Sequence, residues 1–389
     1  MAISPSGLKY SNGSDFESVA LLLQGGGALG AYQAGVYEAL DKANIIPDWI
    51  GGISMGAING AIIAGNKPSE RVRKLRDFWE RITPASALLG QTSTFAPYIS
   101  EWGEMARNFI NQFSAGEAAL KGVPGFFAPR MPPPWFYPSG SPSALSFYTT
   151  DRLAETLEEF IDFDILNAGD IRYTTSAVNI SSGNYTLFDG AEQRIKTEHV
   201  MASAALPPGL PDVEIDGERY WDAGLISNTP LQWVMNEEYK KDTLVFQVDL
   251  WSARGEFPKD IIEVMTREKE IQYSSRTRAM TDRFKRVHQL RHAFADLYEK
   301  MPQELKETKE AKLLHSASSK EVYNIVHLIY RAREYEGYSK DYEFSRLSME
   351  EHWKAGFNDT MRTLRHKEIL HLPENNEGLM TYDLTGTDS

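Results

Sequence analysis

Apolar positions in the first third of the chain fall into blocks of alternating character. Val19-Ala20-Leu21-Leu22-Leu23 is apolar without alternation, as in a strand covered on both faces of a parallel sheet. Residues 31–43 put Tyr32, Val36 and Leu40 on one stripe at helical spacing. Ile45 and Ile46 precede Pro47, and Trp49, Ile50 and Ile53 then read as a second strand. Residues 55–64 are small and aliphatic, the composition of a tightly buried helix. The order β-α-β-α predicts a doubly wound α/β sheet.

Further along, 69–82 reads as an amphipathic surface helix, and 83–149 as irregular structure. That stretch carries a Pro- and aromatic-rich segment at 126–137, expected either to cross the sheet edge or to form a lid beside an entry path. Residues 151–163 have helical spacing, whereas 172–180 and 184–188 read as a hairpin turned at Ser181-Ser182-Gly183. A short apolar helix at 200–206 stops at Pro207-Pro208. Asp216-Gly217 between 213–215 and 219–221 is the strongest hairpin signal in the chain. Residues 243–250 read as the last buried strand. Beyond about 257 charges become dense and helical spacing dominates, with one or two helices over 262–298 and another over 320–335. The pattern divides the chain into a loose tail (1–18), an α/β domain (19–256) and a mainly α-helical C-terminal region (257–389) that frays from about 373.

Composition narrows the functional classes. With 389 residues, 42% of them hydrophobic, the chain has room for a sizeable core. A net charge of -13 argues against gripping nucleic acid and against anionic membrane as the default partner. There is no cysteine, so disulfides, thiolate metal sites and a cysteine nucleophile drop out together, which suits a cytoplasmic location. The N-terminus lacks the apolar stretch of a secretory signal, and no run is long enough to span a membrane.

Three elements carry chemistry. Gly25-Gly26-Gly27-Ala28-Leu29-Gly30 follows the first strand. Gly52-Ile53-Ser54-Met55-Gly56 follows the second, giving the strand, G-x-S-x-G, helix order of a nucleophile elbow. Asp222-Ala223-Gly224 follows the later hairpin. Serine needs a base to take its proton, and a tetrahedral intermediate needs backbone N–H donors. Gly25-x-Gly27-x-x-Gly30 also fits a dinucleotide fingerprint, with Asp48 near the expected spacing for a ribose contact. A Ser-Asp-His triad would draw on His288, His292, His315, His327, His352 or His366.

Taken jointly, the glycine run, the elbow, Ala202-Ser203-Ala204-Ala205-Leu206-Pro207 and Asp222-Ala223-Gly224 continuing to Asn228-x-Pro230-Leu231 resemble the bacterial patatin-like phospholipases. The resemblance covers about 19–250. It implies a three-layer α/β/α fold with a mostly parallel sheet, and a Ser-Asp dyad without catalytic histidine. Ser54 maps to the nucleophile, Asp222 to the proton acceptor, and Gly25, Gly26 and Gly27 to the oxyanion loop. Gly30, Gly52, Met55, Gly56, Ala223 and Gly224 map to motif positions around them. Members often carry Arg where this chain has Leu29, and Gly where it has Ala223, a change tolerated if Ala223 does not need φ > 0. The implied activity is hydrolysis of lipid acyl esters through an acyl-serine, with no metal or cofactor. Acyl transfer on the same dyad and a non-catalytic lipid- or protein-binding module are the alternatives. Transient membrane-surface contact and a homo-oligomer formed through the C-terminal helices are the expected associations.

Overall fold

The computed structural model describes residues 13–83, 103–235, 241–274, 277–373 and 378–384. The strands are β1 (Ser18–Leu23), β2 (Trp49–Gly52), β3 (Ala128–Pro129), β4 (Tyr148–Thr149), β5 (Arg172–Asn179), β6 (Tyr185–Asp189), β7 (Val213–Ile215), β8 (Glu218–Asp222), β9 (Thr243–Asp249), β10 (Tyr323–Ile329) and β11 (Leu379–Asp383). The helices are α1 (Ala31–Lys42), α2 (Met55–Ala64), α3 (Arg71–Ile82), α4 (Gly103–Lys121), α5 (Asp151–Phe160), α6 (Phe163–Ala168), α7 (Thr197–Ser203), α8 (Leu231–Met235), α9 (Ile261–Tyr273), α10 (Thr277–Lys300), α11 (Gln303–Lys306), α12 (Lys309–Ala317) and α13 (Arg346–Thr363).

Nine strands make one sheet in the order β11-β10-β9-β1-β2-β5-β8-β7, with β6 on β5, and β3 and β4 pair separately. From β11 to β5 every neighbour is parallel, whereas the β5–β6, β5–β8 and β8–β7 pairs are antiparallel. The unbroken apolar run of β1 follows from this central position. Val19, Leu21 and Leu23 face a core shared with α1, α2, α3 and α13, while Ala20 and Leu22 face one shared with α8 and α10. This is the expected three-layer, mostly parallel arrangement.

Five expectations are corrected. The stretch 320–335 is not a helix: it holds strand β10, hydrogen-bonded along β9. Val322, Ile325, Val326 and Ile329 fit helical spacing, but in a strand buried on both faces the spacing carries no information. Its β-branched content is the better guide. Residues 243–250 are therefore not the last strand, and β11 closes the edge where fraying was expected. Within the region expected to be irregular, α4 is a 19-residue helix. Its stripe is hidden because Arg107, Asn111 and Ser114 turn inward with Ile110, while Phe109 and Phe113 turn out. The tail is ordered from Asp15, whose N–H donates to Leu370 O at 3.0 Å, and Phe16 is buried. Residues 1–12 lie outside the described residues.

The C-terminal region is sealed to the sheet layer by α13 against α1. A Cβ on Gly35 would lie 1.9 Å from the Trp353 carbonyl oxygen, and one on Gly356 2.0 Å from that of Tyr32. Each glycine lets the other helix's backbone come close.

Candidate active site

β2 ends at Gly52 and α2 begins at Met55, so the chain reverses within Ile53 and Ser54. Ser54 takes φ 55°, ψ -123°, a conformation that is costly for a residue with a Cβ. The flanking glycines are steric requirements. A Cβ on Gly52 would lie 2.2 Å from the Gly56 carbonyl oxygen, and one on Gly56 2.3 Å from that of Leu23. The Ser54 N–H donates to Ser203 Oγ at 3.1 Å, and the side chain is half-buried at the N-terminus of α2.

Asp222 arrives by another route on the same strand. β2 pairs with β5 up to Gly52 opposite Thr175. β8 runs the other way and pairs with β5 at Ala177 opposite Asp222. β6 overlaps both stretches of β5, so β2 and β8 must share its other edge. They meet end to end there, which sets Asp222 beside the elbow. The Asp222 N–H donates to Ala205 O at 3.0 Å. Segment 202–207 thus anchors both residues, Ser54 through Ser203 and Asp222 through Ala205.

The Asp222 side chain is buried, with 2% exposure, and accepts the Gly224 N–H at 2.7 Å. Burial pushes its carboxyl up from 3.8 to about 7; the Gly224 N–H and the Ser54 hydroxyl, as hydrogen-bond donors, pull it down. Ala223 is buried and is not among the described residues with positive φ, so its replacement of glycine carries no strain.

The glycine run is held from several sides. Asn228 brackets the Gly25 peptide: its Oδ1 accepts the Gly25 N–H at 3.0 Å, and its Nδ2 donates to Gly25 O at 3.0 Å. Trp251 Nε1 donates to the same oxygen at 2.9 Å. A Cβ on Gly25 would lie 2.9 Å from Ser54 Cβ. Gly27 has φ 55°, and Ala28 N–H donates to Asp341 O at 2.7 Å. Gly25 therefore departs from expectation, since its N–H is engaged by Asn228. The N–H groups of Gly26 and Gly27 have no acceptor among the described residues. A Cβ on Gly30 would lie 2.4 Å from Met55 Cγ, so these two motif positions pack on each other.

The rival constellations do not assemble. His288 packs on His292 and Tyr323, His327 lies near Asp249, and His352 lies 3.6 Å from Glu336. His315 stacks on Tyr298 and His366 pairs with Glu368. Asp48 is taken by Ser18 Oγ at 2.6 Å and the Val19 N–H, before β2 begins. Sequence reasoning named Asn228 and Ser203 only as motif positions without a contact, and it missed Trp251 and Asp341. Only Asn228 and Ser203 lie in a recognised motif, so the other two carried no signal.

An elbow serine against a buried aspartate, on a mostly parallel three-layer sheet, places the chain among the serine-elbow α/β folds. A family model described as patatin-like phospholipase matches residues 21–234, and one described as patatin phospholipase matches 271–376. The chain belongs to the patatin-like phospholipase family. It is 24% identical over 245 residues to lysophospholipase NTE1 of Debaryomyces hansenii, covering 62% of this chain and 12% of that protein. It is 36% identical over 64 residues to patatin-like phospholipase domain-containing protein 6 of Homo sapiens, covering 16% of this chain and 5% of that protein. The chain thus spans a small part of the relatives it matches. The crystal structure of VipD from Legionella pneumophila aligns with a TM-score of 0.39 at 14% identity, over 90% of this chain and 67% of that one.

Proposed function

We propose that the protein is a serine acyl-ester hydrolase acting on lipid acyl esters through a Ser54–Asp222 dyad. The observation that carries the reading is a buried carboxylate next to the strained elbow serine, beside two glycine N–H groups without an acceptor among the described residues. Asp222 takes the Ser54 proton as Oγ attacks the ester carbonyl. The Gly26 and Gly27 N–H groups and the N-terminus of α2 stabilise the oxyanion. The intermediate collapses, the alcohol leaves with the proton from Asp222, and an acyl-Ser54 remains. Asp222 then takes a proton from water, whose oxygen attacks the acyl carbon. The acid is released and the proton returns to Ser54.

The family and the lysophospholipase relative favour lysophospholipid or phospholipid esters. The test is a panel of acyl esters of varied head group and chain length, with a fluorophosphonate probe mapped by mass spectrometry. The reading requires probe labelling at Ser54 and a loss of at least about a thousandfold in turnover in both Ser54→Ala and Asp222→Asn. An Asp222→Asn variant of undiminished turnover would refute the dyad.

A further inference from the structure

Helix α9 is built inside out. Its inward side chains are charged: Lys269 reaches Asp341 at 2.6 Å, Glu270 receives Lys340 at 2.5 Å, and Arg267 donates to Ser252 O at 3.2 Å. Its outward side chains are mostly apolar, with Glu263, Glu268 and Gln272 exposed among them. Ile261 is 71% exposed and Ile262 52%, with Val264, Met265 and Ile271 also exposed. Phe257, just before the helix, is 89% exposed. A surface helix of a globular protein shows the opposite arrangement. A contiguous exposed apolar face marks an interaction surface.

The helix is tied to the candidate site at its C-terminal end. Tyr273 ends α9, and its carbonyl accepts from Asn228 Nδ2 and Gln24 Nε2, both at 3.0 Å. Asn228 is the side chain that brackets Gly25. The loop after Asp222 exposes Leu225 and Ile226. Ile262 and Met265 also line a cleft of about 2290 Å³ that reaches Phe109 and Trp251, and Trp251 holds the Gly25 carbonyl.

We propose that the outward face of α9, with Phe257, docks the protein on a zwitterionic lipid surface. This rests on the acyl-ester reading of the site and names the partner from which that site takes its substrate. Charge selects the occupant. The exposed residues of the helix, Ile261, Ile262, Glu263, Val264, Met265, Glu268, Ile271 and Gln272, hold two formal charges, both negative. The whole chain carries -13, which opposes both a second copy and an anionic bilayer. An electrically neutral interface accepts the apolar face without a charge partner.

The test uses Ile261→Ser, Val264→Ser and Ile271→Ser together, three exposed positions outside the hydrogen-bonded machinery. In a full-length Ser54→Ala background, co-sedimentation with phosphatidylcholine vesicles should fall at least tenfold in the triple variant. With Ser54 intact, hydrolysis of vesicle lipid should fall at least tenfold, while turnover of a monomeric short-chain ester stays within twofold. Equal vesicle binding by the two proteins would overturn the proposal. So would a parental dimer in analytical ultracentrifugation that the triple substitution dissociates, because the face would then be covered by a second copy. If the Ser54-intact protein turns over no ester, the hydrolase reading fails while the vesicle-binding comparison is still decisive for the surface.

Discussion

Burial strips the Asp222 carboxyl of water and pushes it up to about 7, with the Gly224 N–H at 2.7 Å and the neighbouring Ser54 hydroxyl drawing it back. A base must be unprotonated to work, so kcat/KM on a monomeric ester should climb about tenfold per pH unit below 7 and level off above it. A stopped assay across pH 5–9 reads this directly, and a flat profile down to pH 5 would contradict the assignment. Stability moves the other way. The folded-state value lies above the unfolded one of about 3.9, so the folded protein binds that proton more tightly, and stability falls as pH rises from about 4 to 7. The penalty is on the order of 4 kcal/mol and persists at higher pH. Asp222→Asn, neutral at every pH, should therefore melt several degrees above the parent at pH 8, with the gap closing toward pH 4. Scanning calorimetry at the two pH values checks the sign.

At the scale of elements, Asn228 fastens three pieces that the chain makes separately: the glycine loop, the loop after β8 and the end of α9. Asn228→Ala should lower kcat by about 10- to 100-fold with KM within about threefold, because it loosens the donors rather than the substrate contacts. Steady-state kinetics on a monomeric ester separates the two. The α1–α13 crossing permits a harsher test. Gly356→Val must push two backbones apart and should cost at least about 3 kcal/mol, measured by urea unfolding. These elements also show what could be read beforehand. The elbow was legible because Gly52, Ser54 and Gly56 each answer to a local backbone demand. The hairpin at Asp216-Gly217 was legible for the same reason, with φ of 50° and 84° at its two residues. Strand β10 was not, because a fully buried strand has no polar face to mark its period. The bond from Asp341 to Ala28 joins distant parts of the chain and leaves no trace in local spacing.

At the scale of the molecule, the boundary expected near 257 cuts one sheet in two. Removing everything beyond it would strip β10 from β9, uncover Val245 and Phe246, and take α13 off α1. A fragment ending at residue 256 should be recovered aggregated, or without a cooperative melt, where the full chain is soluble; light scattering and calorimetry decide it. The C-terminal region also acts on the glycine loop, through the carbonyl of Asp341 in the turn before α13 and that of Tyr273 at the end of α9. The meeting of β2 and β8 along one margin of β5 has its own consequence. Thr175 and Ala177 are the two contact points, and Ser176 alone lies between them. One residue of β5 therefore serves as the gauge block between hydroxyl and acid. Lengthening that strand by a single residue at Ser176 would leave the Ser54 hydroxyl and the Asp222 carboxyl chemically intact yet out of reach of each other.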